Sequence, residues 1–283
     1  MRRRFSVNLW VWYPDASYEN YSAIYRAQDA GFDGVEIPTF DGQLDVQTLR
    51  EVLTTTNLAP IIIGGGSENT DISSEDETVR RNGLEYIRRC IDNCYTLGGE
   101  LVCGPLYCCV GKTIFLSGEQ RMIALRRIAD ALAEAVDYAG ERGIIIALEP
   151  LCRYDTHIIN TVEQGVELIE MIQRENVGLL LDTFHMNIEE KSLGDAVKKA
   201  GQLLFHLQVC ENDRGLPGTG HIDWNELSRS LTQTDYDGWI SLESFTPYFE
   251  KFSEMMHSWR PLARNQDEFA KEALKFLKEK FSR

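Results

Sequence analysis

Four short apolar runs in the second half of the chain each lead into a side chain that offers oxygen. Ile144-Ile145-Ile146-Ala147-Leu148 is followed by Glu149, and Val177 to Leu181 by Asp182; Leu203 to Leu207 is followed by Gln208, and Trp239 to Leu242 by Glu243. Taken singly, each is what a solvated strand end or a helix N-cap would show. Three carboxylates gathered at one place, however, repel one another unless a cation stands between them. Glu149, Asp182 and Glu243 with the neutral amide of Gln208 make an all-oxygen set, which suits Mg²⁺ or Mn²⁺ better than zinc. Two adjoining segments add polar chemistry. Thr183-Phe184-His185-Met186-Asn187 follows Asp182, and a glycine-dense loop from Glu211 to His221 follows Gln208 and carries one cation, Arg214, in acidic surroundings. Arg214 is placed either to bind substrate oxygens or to pair with Glu211 or Asp213, and the bare sequence leaves both open.

Bringing four such ends together requires a repeating scaffold, and the chain has one. Apolar runs at Phe5 to Trp12, Gly34 to Ile37, Pro60 to Ile63, Leu101 to Gly104, Ile144 to Leu148, Val177 to Leu181, Leu203 to Val209 and Trp239 to Leu242 read as strands. Between and after them lie segments of helical period: Tyr18 to Ala30, Val46 to Thr56, Glu75 to Leu97, Glu119 to Arg142, Val162 to Glu175, Leu193 to Ala200, Trp224 to Thr232 and Gln266 to Phe281. Eight strand–helix units over roughly 250 residues predict an α/β fold, a single (β/α)8 TIM barrel with residues 1–283 as one domain. The near-continuous apolar strands fit parallel strands covered by helices. An open doubly wound sheet is the rival, but Trp12-Tyr13-Pro14-Asp15 follows the first strand where a G-x-G-x-x-G turn would stand. Gly64-Gly65-Gly66 reads as a flexible hinge. In a barrel of this kind the carboxyl ends of the strands face the active-site mouth, which is where the four oxygen-bearing residues would meet.

Composition narrows the partners. Lys plus Arg is 29 against 44 Asp plus Glu, a net charge of −15, with no basic stripe, so a nucleic-acid partner is not expected. No apolar run approaches the roughly 18 residues of a membrane span, so no membrane partner is expected either and the chain reads as cytoplasmic. The seven cysteines are odd in number and form no C-x-x-C pair, as reduced thiols would.

The stretches Ala147 to Thr161 (ALEPLCRYDTHIINT), Leu181 to Glu190 (LDTFHMNIEE), Phe205 to Trp224 (FHLQVCENDRGLPGTGHIDW) and Ser241 to Phe245 (SLESF), with a weaker match at Gly104 to Lys112, carry a family resemblance. The sequence resembles the xylose-isomerase-like TIM-barrel sugar isomerase and epimerase superfamily, most closely the D-tagatose 3-epimerase and D-psicose 3-epimerase group. The resemblance implies a divalent metal, Mn²⁺ or Mg²⁺ with Co²⁺ as a further candidate, held by Glu149, Asp182, Gln208 and Glu243. It implies that Glu149 and Glu243 also act as catalytic acid and base on opposite faces of a keto sugar. His185 and Arg214 match residues that hold the sugar's oxygens, and Asp155 stands where the epimerases usually have a glutamate bonded to the terminal hydroxyl. Gln208 departs from the pattern, since the epimerases have a histidine there; hydroxypyruvate isomerases of the superfamily are similar to this chain in using glutamine. His206, two residues away, is the other reading of that ligand.

The expected reaction is metal-dependent epimerisation or isomerisation of a keto sugar by proton transfer through a metal-stabilised enediolate. Other enolate chemistry on the same site is the alternative: a hydroxypyruvate isomerase, an inosose isomerase or dehydratase, or cleavage of 3-keto-glycosides or C-glycosides. An endonuclease IV-like phosphodiesterase needs a histidine cluster for three zinc ions, which five histidines in an acidic chain do not favour. A non-catalytic sugar-binding barrel is the remaining class. Trp10, Trp12, Tyr13, Phe40, Tyr107, Phe245, Tyr248 and Phe249 are candidates to cover a sugar's apolar face. Thr246 to Asn265 is a candidate lid or subunit interface in a possible homo-oligomer.

Overall fold

The computed structural model describes residues 3–39 and 44–282; Phe40 lies outside the described residues. Eight parallel strands close on themselves in sequence order: β1 (Arg4–Asn8), β2 (Gly34–Pro38), β3 (Ala59–Ile63), β4 (Leu101–Gly104), β5 (Ile145–Leu148), β6 (Val177–Asp182), β7 (Leu204–Val209) and β8 (Trp239–Leu242), with β8 pairing back on β1. Helices α1 (Tyr18–Ala30), α2 (Val46–Thr56), α3 (Glu77–Leu97), α4 (Gly118–Gly140) and α5 (Val162–Ile172) follow the first five strands. Beyond them come α6 (Thr183–Glu189), α7 (Leu193–Ala200), α8 (Trp224–Gln233), α9 (Glu250–Met255) and α10 (Gln266–Phe281). The barrel expected from the repeat is therefore the architecture observed. No helix among the described residues is long and apolar enough to cross a membrane.

Side chains alternate in and out along each strand, and this alternation builds two cores. Outward residues such as Val7, Val35, Ile62, Val102, Ile146, Leu179, Leu181, Leu207 and Ile240 pack against the helix ring. Each fully buried aliphatic side chain of this kind is worth on the order of 1.5–3 kcal/mol. Inward residues Ile61, Ile63, Leu101, Cys103, Ala147, Leu180 and Trp239 fill the barrel itself, and the Arg4 guanidinium lies 4.2 Å over the Trp239 ring. Two positions on from Ala147 and Leu180, the same inward phase carries Glu149 and Asp182. The interior thus changes from apolar to charged as the strands approach the mouth.

Local chemistry fixes the ends of the elements. Ser117 and Gln120 form a capping box at the start of α4, and Thr161 and Gln164 form another at α5. Gly98 ends α3 in the left-handed region, with φ 80°, where a side chain would be strained. The first strand is shorter than its apolar run: Leu9–Val11 form a 3-10 turn because the Asn8 side chain accepts the Trp10 N–H and bends the chain away from the sheet. The glycine triplet has a packing role in place of the expected hinge. A Cβ on Gly66 would come within 2.3 Å of the Cys108 carbonyl oxygen, and one on Gly64 within 2.5 Å of the Tyr86 hydroxyl. All seven cysteines are buried and free.

Candidate active site

Glu149 follows β5 directly, and its backbone N–H still reaches the Gly104 carbonyl on β4 at 3.2 Å. Glu243 does the same after β8, its N–H bonding the Val209 carbonyl at 3.1 Å. Asp182 closes β6 and caps α6, where its Oδ1 accepts the Phe184 N–H at 2.9 Å. The strand ladders thus aim all three carboxylates at the mouth, and all three are buried. Ligand atoms of Glu149, Asp182 and His185 lie within 4.8 Å of one another.

Arg214 binds this cluster from the loop after β7. Its Nη1 donates to Asp182 Oδ2 and, at 2.7 Å, to Glu243 Oε2, bridging the two carboxylates. Of the alternatives open from sequence, Glu211 and Asp213 are not its ion partners: Asp213 pairs with Arg260 at 3.0 Å, and Glu211 accepts the Gly218 and Ile222 N–H groups and the Trp224 indole. The guanidinium lies over Phe184 and Phe245, at 4.1 and 4.9 Å to the ring centroids. Its backbone is held with φ 67° by the Arg214 N–H on the Glu211 carbonyl and the Ser244 hydroxyl on the Arg214 carbonyl.

The charges shift accordingly. Burial pushes Glu149 well above the ordinary carboxylate range, and the charges of Glu243 and Asp182 push the same way. Burial does the same to Glu243; Arg214 opposes it, while Asp182 and Glu36 add to it. Burial would raise Asp182 as well, but Arg214, His185 and the Phe184 N–H hold it below the usual aspartate range. For His185, burial and then Arg214 lower the pKa to about 4 despite the nearby carboxylates. Its imidazole is therefore neutral near pH 7. The His185 Nδ1 accepts the Cys152 N–H at 3.1 Å. Nε2 lies 3.2 Å from Arg214 Nη2, so the ring and the guanidinium stand together at the carboxylate cluster. Asp155 is at the rim, its Oδ2 accepting from the Cys152 thiol at 3.1 Å and standing 3.8 Å from His185 Nδ1.

Gln208 and His206 both face inward from β7, one layer apart. His206 is bound at Nε2 to Glu36 Oε1, at 2.6 Å. Gln208 donates from Nε2 to Glu36 Oε2 at 2.8 Å, and its Oε1 is buried with no hydrogen-bond partner. A buried amide oxygen without a donor, on the strand paired with Asp182, fits a divalent cation held by oxygen. Sequence reasoning missed Glu36 and Asn8. Asn8 Nδ2 joins Glu36 Oε2 at 3.0 Å to Glu243 Oε1 at 3.1 Å. Their signal was polar residues in the inward phase of β1 and β2, inside apolar runs whose ends alone were read.

Of the aromatic candidates, Trp10 packs with Phe245 and Phe252 beside Arg214. Trp12 and Tyr107 belong to the main core, with Trp12 donating to Asp267 and the Tyr107 hydroxyl to the Ile159 carbonyl. The Thr246 to Asn265 segment contains α9 and is tied to the β7 loop by the Arg260–Asp213 pair.

A family model described as a xylose isomerase-like TIM barrel matches residues 24–280. An L-ribulose 3-epimerase of Methylomonas sp. (strain DH-1) is 36% identical over 284 residues, covering 99% of this chain and 98% of that protein. A ketose 3-epimerase of Arthrobacter globiformis is 32% identical, covering 97% of this chain and 94% of that protein. Among solved structures, a D-allulose 3-epimerase from Methylomonas sp. in complex with D-allulose superposes with a TM-score of 0.93 at 36% identity, over 99% of this chain and 98% of that one.

Proposed function

This chain belongs to the xylose isomerase-like TIM-barrel family, and we propose that within it the chain is a divalent-metal-dependent ketose 3-epimerase. The observation that carries the reading is the pair of buried carboxylates, Glu149 beyond β5 and Glu243 beyond β8, three strands apart around one mouth with Asp182 and Arg214 between them. The names of the relatives, epimerases of L-ribulose, ketoses and D-allulose, point to the same chemistry.

Glu149, Asp182, Gln208 Oε1 and Glu243 would hold the cation, which when bound supplies Lewis-acid polarisation of the ketone. The chain's own groups do the rest. His185 and an Arg214 N–H hold a sugar oxygen next to the reacting carbon. Asp155, at the rim, is placed for a hydroxyl at the far end of the sugar. One glutamate takes the proton from carbon 3, next to the ketone, and the other returns a proton to the opposite face. The two carboxyls stand in different surroundings, Glu243 bonded to Arg214 and Asn8 and Glu149 3.7 Å from His185 Nε2, so one can carry a proton while the other is ionised. Trp10, Phe245 and Phe252 form an apolar cluster beside Arg214 that can cover the sugar's apolar face.

Incubation of metal-loaded enzyme with D-allulose and with L-ribulose in deuterated water tests the reading. The expected result is the C3 epimer with deuterium at carbon 3. Deuterium at carbon 2 of an aldose product would make it an aldose–ketose isomerase, and loss of water from the sugar would make it a dehydratase.

A further inference from the structure

Glu36 is a fully buried carboxylate in the middle of β2 that the proton transfers leave unused. Three side chains on other strands donate to it: Gln208 and Asn8 to Oε2, at 2.8 and 3.0 Å, and His206 faces Oε1 at 2.6 Å. Asn8 is its register partner on β1, while Gln208 and His206 reach it across the barrel interior. We infer that Glu36 is a positioning residue that selects which end of the Gln208 amide is offered to the metal.

The argument rests on the shape of a carboxamide. Its oxygen and its NH₂ group are nearly the same size, so packing does not distinguish the two orientations, and only hydrogen-bond partners do. A histidine ligand has no such ambiguity of oxygen and nitrogen, whereas a glutamine ligand coordinates through oxygen and repels a cation through its NH₂. As a carboxylate oxygen already accepting from Asn8, Glu36 Oε2 has no hydrogen to give and can only accept. It therefore takes the NH₂ end of Gln208, and Oε1 becomes the free end. His206 and Asn8 hold the carboxylate from the other sides, and Asn8 Oδ1 is itself fixed by the Trp10 N–H at 3.0 Å. Residue 208 can thus be an amide only because residue 36 is an acceptor placed beneath it.

The inference depends on the reading that Gln208 is a ligand, and a double-mutant cycle on metal affinity keeps the two apart. Mn²⁺ dissociation constants are measured on metal-stripped protein by following free Mn²⁺ with electron paramagnetic resonance, for the parent, Glu36→Gln, Gln208→Ala and the double variant, with a thermal melt of each. An amide at position 36 can donate to Gln208, which turns the Gln208 amide over. Glu36→Gln is then expected to weaken Mn²⁺ by about 10- to 100-fold, the range seen for residues that orient metal ligands. The double variant is expected to bind no worse than Gln208→Ala, because with the ligand gone there is nothing left to orient. Losses that multiply in the double variant would overturn the inference in favour of plain charge or packing, as would an unchanged constant for Glu36→Gln beside a weakened Gln208→Ala. An unchanged constant for Gln208→Ala would remove the ligand and the inference together. Should Glu36→Gln fail to fold, Glu36→Asp keeps the charge but withdraws the acceptor by one methylene; weaker Mn²⁺ binding is expected there, and unchanged binding would overturn the proposal.

Discussion

The neutral imidazole of His185 makes the fold sensitive to mild acid in a calculable way. Its pKa falls from 6.5 to about 4 on folding, through burial first and Arg214 second. Between those values the unfolded chain binds a proton that the folded chain does not, so stability rises with pH across the window and is lost as pH falls through it. The shift corresponds to a loss of about 2 kcal/mol at pH 5 and about 3 kcal/mol at pH 4, relative to neutral pH. Urea unfolding of the metal-stripped protein at several pH values, for the parent and His185→Asn, isolates this contribution. Asparagine keeps an acceptor near the position of Nδ1 for the Cys152 N–H and does not titrate. Glu149 and Glu243, with raised pKa values, bind protons in the fold and slope the opposite way in both proteins, so they largely cancel in the difference. The parent should lose stability relative to His185→Asn by the stated amounts as pH drops. Parallel curves between pH 7 and pH 4 would refute the assignment of a neutral, buried imidazole.

Three other outcomes follow from the same geometry. Chelation should abolish epimerase activity and Mn²⁺ or Mg²⁺ should restore it, with elemental analysis confirming the stripped state; full activity without metal would contradict the cation site. Glu149→Gln and Glu243→Gln should each lower turnover by about 10² or more, the usual contribution of a positioned acid or base, and comparable turnover in either variant would remove that residue from the proton path. Gln208→His should tighten Co²⁺ or Zn²⁺ relative to Mg²⁺ by exchanging a hard oxygen donor for nitrogen, read as a ratio of dissociation constants; an unchanged ratio would place residue 208 outside the coordination sphere.

Periodicity carried the barrel because the strands are apolar on the outward face that meets the helices, those from β3 to β6 are apolar inward as well, at Ile61, Leu101, Ala147 and Leu180, and each long helix shows one apolar stripe. Short elements left no such trace. Helix α6 spans only Thr183–Glu189, under two full turns, and it exists because Asp182 caps it while also facing the mouth. Helix α9 is shorter still and is held by Phe252 packing on Trp10 and Phe245. At β1 the apolar pattern runs on through Trp12 because the 3-10 turn buries Leu9, Trp10 and Val11 as fully as a strand would, so hydrophobicity cannot mark the point where Asn8 turns the chain.

The candidate site was legible where a polar residue interrupts the end of a strand, and obscure where it sits in mid-run. Glu149, Asp182, Gln208 and Glu243 stand out because apolar residues precede them and loops follow. Glu36 is flanked by Val35, Ile37 and Pro38, and only the inward phase of β2 distinguishes it from a solvated residue. His206, the other reading of that ligand, is bonded to Glu36, which accounts for its burial. Arg214 shows the converse limit: in sequence its nearest acids are Glu211 and Asp213, yet Glu211 is consumed by the amides of its own loop and Asp213 by Arg260. With those local acids engaged, the left-handed backbone at Arg214 directs the guanidinium to Asp182 and Glu243, which no local pairing rule would select. Acidic residues in that loop therefore serve the site by occupying other donors, and that keeps its one cation free for the two carboxylates at the mouth.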